Sequence, residues 1–162
     1  MPEMDDRDET FAFLDAFARQ AAERVGVPTE CSIILRQRDL LQYVASSGER
    51  AAECDRVEVE EADGPCVSAL QQLRGELVLD IAADERWPAW RTVALERGFR
   101  SAAALPAQVD ADSTLALNLY ADVVDPWDRD TLVAMDRFAQ EIAEAVRTRG
   151  LVLPVQEPDR LP

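Results

Sequence analysis

Two apolar hairpins set the strongest limits on how this chain can fold. Cys31-Ser32-Ile33-Ile34-Leu35-Arg36 and Leu40-Leu41-Gln42-Tyr43-Val44-Ala45 flank a polar Gln37-Arg38-Asp39 turn. Farther on, Arg100 to Gln108 and Thr114 to Tyr120 flank the turn-rich Asp110-Ala111-Asp112-Ser113. Each pair predicts two adjacent antiparallel strands. Helical segments bracket them: Phe11, Leu14, Phe17, Ala18, Ala21, Ala22 and Val25 recur at intervals of three and four up to Gly26-Val27-Pro28. From about Trp127 to Arg149, Leu132, Met135, Ala139, Ile142 and Val146 do the same, with Asp128 and Asp130 at the start and Arg147 and Arg149 at the end, as the helix dipole favours. The order predicts an α+β domain, an antiparallel sheet covered by helices.

The connection between the hairpins is less regular. From Ser46 to Glu61, six acidic residues and Gly48 dilute any periodicity, so the stretch reads as a partly ordered loop in which Val57 and Val59 alternate like a brief edge strand. Asp63 is placed to cap a short helix whose first positions are Gly64 and Pro65 and which runs from Cys66 to Leu73. Glu76 to Ile81 reads as a further strand, and Pro88 to Arg97, closed by Gly98, as a further short helix.

Composition narrows the chemistry. A chain of 162 residues fits one domain, here 8–149, with residues 1–7 and 150–162 expected to be a disordered start and a flexible tail. No basic and apolar leader is present at the start, and no run approaches the ~18 to 20 apolar residues of a membrane span. Three cysteines are expected to stay reduced, which predicts a cytoplasmic protein. All 17 cationic residues are Arg and the net charge is −15, which disfavours nucleic acid and anionic membranes as partners. With no His and no Lys, the commonest metal ligand and general base, Schiff-base chemistry and the P-loop Lys are all missing.

Several motifs follow one another in order: Asp63-Gly64-Pro65-Cys66, Val78-Leu79-Asp80, Asp84 with Arg86-Trp87-Pro88, Gly98-Phe99-Arg100-Ser101, Leu105-Pro106 and Leu117-Asn118-Leu119-Tyr120. Together they resemble the GAF domains of actinobacterial sensory proteins. The resemblance implies a six-stranded antiparallel sheet, related to the PAS fold, with the first and last helices on one face and a small-molecule pocket on the other, roofed by short helices. Many such domains are followed by an RNA-binding ANTAR module. Only 13 residues follow Arg149 here, so a stand-alone domain acting through a separate effector protein is expected. The cyclic-nucleotide signature of the family needs a Lys, and its haem and bilin sites use a His; none of these cofactors is expected here.

The candidate ligand-binding residues are Cys66, Asp80, Arg86, Trp87, Trp90, Ser101, Ala103, Asn118 and Tyr120. A thiol in the first turn of a helix meets unpaired N–H groups and the positive dipole end, which favours thiolate, although a free Cys is also an ordinary buried hydrophobe. Cys54 is its conceivable resolving partner. Arg86, Trp87 and Trp90 offer an aromatic wall and a cation for a flat or anionic ligand; equally, Trp87 staples its helix and Arg86 pairs with Asp80 or Asp84. Alternation puts Asn118 and Tyr120 on one sheet face, where an amide needs several hydrogen-bond partners. Abundant carboxylates read as a solvated surface, so no metal site is expected.

The leading expectation is a non-enzymatic sensory domain that binds a small molecule and signals through a partner or a homodimer of its terminal helices. Their seam 132, 135, 139, 142 and 146 is joined by a second stripe, Ala134, Phe138, Glu141 and Ala145. One alternative is a thiol-based redox enzyme or sensor like the free methionine sulfoxide reductases, which share the GAF fold, using Cys66 and Cys54. Another is a protein interaction domain whose pocket has degenerated.

Overall fold

The computed structural model describes residues 6–150. Its elements in chain order are α1 (Asp6–Arg24), β1 (Glu30–Gln37), β2 (Leu40–Ser46), α2 (Glu49–Glu61), α3 (Pro65–Gln72), β3 (Glu76–Val78), a 3-10 turn (Ile81–Ala83), α4 (Pro88–Glu96), β4 (Ser101–Gln108), β5 (Ser113–Ala121) and α5 (Arg129–Arg149). The expectations of a disordered start and a flexible tail concern residues that lie almost wholly outside the described ones.

Both hairpins form where the apolar runs and polar turns placed them, and they meet in one antiparallel sheet of order β2-β1-β5-β4-β3. Five strands are found among the described residues rather than six. The third is shorter than its sequence suggests, because Asp80 turns its carboxylate back onto the Ala82 N–H at 3.1 Å and starts the 3-10 turn in place of more strand. Central β1 and β5 pair over their whole length, from Glu30 opposite Tyr120 to Gln37 opposite Ser113, and this sets Ser32 directly opposite Asn118.

The two sheet faces are used differently. On one, Ile33, Leu35, Ala103, Leu105, Leu117 and Leu119 pack beneath α1 and α5 with Leu14, Ala18, Ala21, Met135, Phe138, Ala139 and Ile142. The seam expected on α5 is therefore internal, and Phe138 of the second stripe is internal too, with its ring 5.8 Å from that of Phe17. On the other face, Ile34, Ala102, Ala104, Ala116 and Tyr120 carry α2, α3 and α4.

The largest departure from the sequence expectation is α2. The segment read as a partly ordered loop with an edge strand is a 13-residue helix whose inward positions are Ala51, Ala52, Cys54, Asp55 and Glu58. These follow a helical spacing, but two of the five are acids, so no apolar stripe marks the helix. Its start is held from outside: the Glu30 carboxylate accepts from the Ala51 N–H at 3.2 Å and from Arg50 at 2.7 Å, while Arg50 also reaches the Arg97 carbonyl at 3.0 Å and Asp122 at 3.1 Å. The Arg50 guanidinium lies over the Phe99 ring, 4.4 Å from its centroid.

Candidate functional site

Asp55 and Glu58 are both fully buried, one helical turn apart on α2, facing the sheet and the start of α3. Each is held by donors from another element. The Tyr120 hydroxyl donates to Asp55 at 3.0 Å, and the Asn118 amide lies 3.3 Å from each of its carboxyl oxygens. Trp90 Nε1 in turn donates to the Tyr120 hydroxyl at 3.1 Å, tying α4 into the same network. Glu58 Oε2 accepts the backbone N–H of Cys66 at 3.0 Å and of Val67 at 3.3 Å.

The α3 cap therefore differs from the sequence expectation. Its N-cap is Gly64, with no side-chain cap of its own, and the role foreseen for Asp63 is performed by Glu58 from the preceding helix. Gly64 is required there. Its φ of +150° is a conformation other residues avoid, and an added β-carbon would lie 2.7 Å from Glu58 Oε2.

The cluster is poor in donors. Ser32 Oγ, Asn118 Oδ1 and Glu58 Oε1 are buried and have no hydrogen-bond partner. Ser32 faces Asp55 from β1, opposite Asn118, without completing a bond of good geometry. The nearest guanidinium on α2, Arg56, points outward to Glu49 at 2.8 Å and over the Tyr43 ring. Burial without a cation pushes the Asp55 carboxyl up to about 7, against the opposing pull of Ser32, Tyr120 and Asn118. Burial, reinforced by the charge of Asp55, holds Glu58 well above the usual carboxylate range. Among the described residues no group of three or more His, Cys, Asp or Glu side chains is arranged to hold a metal ion.

The cysteines sit in the same interior. Cys54 lies on the buried side of α2, not in a loop, and Cys66 opens α3 next to Glu58; both are free, as is Cys31. The favourable helix dipole at Cys66 is outweighed: burial first, then the Glu58 and Asp55 charges, raise its thiol well above its ordinary value. Burial and the neighbouring acids raise Cys54 as well.

Of the residues singled out in the sequence, Cys66, Trp90, Asn118 and Tyr120 come together here. Trp87 is buried beside Trp90, the rings meeting edge to face at 6.0 Å, and the space beneath them is filled by Ile81, Phe99 and Tyr120. Arg86 stays at the surface, over Trp87 and paired with Asp84 at 2.7 Å and Glu76 at 3.3 Å. Asp80 caps the 3-10 turn. Ala103 packs under the terminal helices, and Ser101, two residues earlier on the same strand, shares that face, so neither meets Asn118. Sequence reasoning missed Asp55, Glu58 and Ser32. The spacing 51, 52, 55, 58 was the available signal, masked by the acidity of two of its members.

A GAF domain family model matches residues 8–146, most of the chain. The chain belongs to the GAF domain family. Solved structures agree with the fold of this GAF domain at low identity. The type II free methionine-R-sulfoxide reductase from Thermoplasma acidophilum aligns with a TM-score of 0.71 at 15% identity, over 89% of this chain and 96% of that one. A GAF domain/HD domain protein from Geobacter sulfurreducens gives 0.63 at 14%, over 87% and 93%. GAF3 of a Synechocystis protein in its photoproduct state gives 0.65 at 12%, over 90% and 98%. The likeness thus spans a reductase and a photoproduct state on one scaffold. No curated protein sequence matches the chain significantly. No helix among the described residues is long and apolar enough to cross a membrane.

Proposed function

We propose that this GAF domain is a non-enzymatic sensory module whose small-molecule ligand enters at the cluster of Asp55, Glu58, Asn118 and Ser32. The observation that carries this reading is the pair of fully buried acids without a cation, flanked by polar atoms without partners. Burying a polar group without compensation costs about 1–3 kcal/mol, and apolar residues of similar size would stabilise the core better. Both acids have structural partners, so what points to a ligand is the unpartnered remainder, Glu58 Oε1, Asn118 Oδ1 and Ser32 Oγ.

Signal transmission follows from the cap on α3. A ligand that takes over Glu58 frees the Cys66 and Val67 N–H groups, and α3 can then reorient about Gly64. The ligand shifts the population toward that arrangement because it bonds better there. Output then passes to a partner or a homodimer through the terminal helices, whose outer side carries a shallow groove lined by Phe13, Ala145, Thr148 and Arg149. The buried, proton-holding thiols favour this reading over thiol-based reduction of methionine sulfoxide.

A thermal-shift screen of metabolites, paired with native mass spectrometry, tests it. Saturable stabilisation of the wild type that Asp55→Asn removes is the expected result. No stabilising compound, or turnover of methionine sulfoxide by the purified chain, sinks the proposal. Sedimentation velocity with and without the stabilising compound tests the route of output.

A further inference from the structure

The interior cluster sets two buried acids without a cation beside three polar atoms without partners, and Asn118 links its members. Asn118 lies within 3.3 Å of both Asp55 oxygens and also reaches the Cys66 thiol, while Glu58 binds the Cys66 backbone at 3.0 Å. Ser32 approaches Asp55 from the strand beside Asn118. The acceptors of the cluster are both Asp55 oxygens, Glu58 Oε1, Asn118 Oδ1 and Ser32 Oγ. The last three lack partners, and their residues are 0%, 2% and 0% exposed.

Building on the sensory reading, we propose that the ligand carries a primary ammonium group, seated between Asp55 and Glu58 and completed by Asn118 Oδ1 or Ser32 Oγ. An ammonium brings three donors and no acceptor, which is what this cluster lacks. A hydroxyl brings acceptors as well as one donor, and an anion brings acceptors alone. A guanidinium is broad and planar and needs more room than an ammonium. The chain's own cations are Arg and none of the described ones points here: Arg56, the closest along α2, is committed to Glu49 and Tyr43.

Entry requires α3 to move, and the linker permits it. Ala62 is left-handed and Gly64 has φ +150°, so the two helices join through residues that already hold turn conformations. The incoming ammonium competes for Glu58 with the N–H groups of Cys66 and Val67. Binding and release of the α3 cap are one event.

The test titrates the full chain with matched probes, ethanolamine against ethylene glycol and putrescine against 1,4-butanediol. Binding is followed by thermal shift and by the backbone amide resonances of Cys66 and Val67. The amines are expected to bind saturably and move those two resonances, while the diols do neither. Asp55→Asn and Glu58→Gln, which keep shape and remove charge, should each weaken amine binding on the order of tenfold or more. The amide readout separates this site from loose cation binding to a surface of net charge −15. Equal behaviour of amines and diols, or amine binding that both variants leave intact, overturns the ammonium proposal. A neutral or anionic metabolite that binds in a way sensitive to Asp55→Asn overturns it too while leaving the sensory reading standing. If neither probes nor metabolites bind, both fall.

Discussion

Glu58 Oε2 lies 3.0 Å from the backbone nitrogen of Cys66, so the side chain of one helix caps the start of the next. The same device recurs one element earlier, where Glu30 on β1 caps Ala51 of α2, and both helices begin at a glycine that leaves room for the visiting carboxylate. Glu58→Ala is predicted to cost about 1–3 kcal/mol, since two buried N–H groups lose their acceptor. Glu58→Gln keeps an acceptor and adds donors to acceptor-rich surroundings; at pH 8 it should stay within about 0.5 kcal/mol of wild type or exceed it. Urea unfolding of both variants decides, and equal losses would show that the cap is unimportant.

Stability should fall as pH rises toward and past neutrality. The buried Asp55 carboxyl is raised from 3.8 to about 7, chiefly by desolvation, so the folded state holds its proton more tightly than the unfolded chain does. That contribution is complete below the unfolded value and is lost as pH rises through the folded one; its size is on the order of 4 kcal/mol. Glu58 acts with the same sign. The groups facing Asp55 are Cys54, Glu58 and the outward Arg56 on α2, Tyr120 on β5, Tyr43 on β2 and Cys66 on α3. Among these the Tyr120 hydroxyl, by its hydrogen bond, and Arg56, by its charge, oppose the shift. Urea midpoints from about pH 5 to about pH 8 should decline for wild type and flatten for Asp55→Asn. Identical slopes for the two would remove Asp55 as the cause.

Much of the domain was legible in its sequence, and what escaped did so for identifiable reasons. The two hairpins show as apolar runs because both faces of their strands are covered, and α1 and α5 show helical periods because each buries one apolar face. α2 buries Asp55 and Glu58 where leucines would be looked for, so the rule that finds amphipathic helices passes over it. Ala102 and Ala103 are too alike to reveal which strand face carries α4 and which carries α5. Asn118 and Tyr120 were found because polar side chains in a central strand need partners, although nothing near them in sequence names Asp55, more than 60 residues away.

Gly64 offers a sharper test of the cap. Gly64→Ala forces a residue into φ +150° and drives its β-carbon against Glu58; a loss of roughly 1–3 kcal/mol or more is predicted. Combining it with Glu58→Ala relieves the collision but not the backbone strain. The double variant should therefore lose less than the sum of the singles, and strict additivity in the cycle would rule out contact between the two positions.

All three cysteines should resist modification while the domain is folded. Iodoacetamide at pH 8 is expected to label Cys66 and Cys54 only at the rate at which the interior opens, and all three rapidly in denaturant. Fast native labelling of Cys66 with a midpoint below neutrality would restore the redox reading.

Tyr120→Phe removes the donor to Asp55 and strands Trp90 Nε1, which gives up its acceptor at 3.1 Å. A loss of about 1–3 kcal/mol and altered Trp90 fluorescence are predicted. Unchanged stability would mean that the hydroxyl network contributes little.

The attachments at the two ends of α2 are unequal. Arg50 fastens the first turn to Glu30, Asp122 and the end of α4, whereas the last turns rest on the titratable Asp55 and Glu58. A rod clamped at one end moves by pivoting, and its free end sweeps the wider arc. On α2 that free end carries Arg56, Val59 and Glu60, which with Leu41 and Tyr43 of the edge strand line a surface groove of about 550 Å³. Any displacement of that end would therefore change the width of the groove at the rim of the sheet, while the Arg50 end stays anchored.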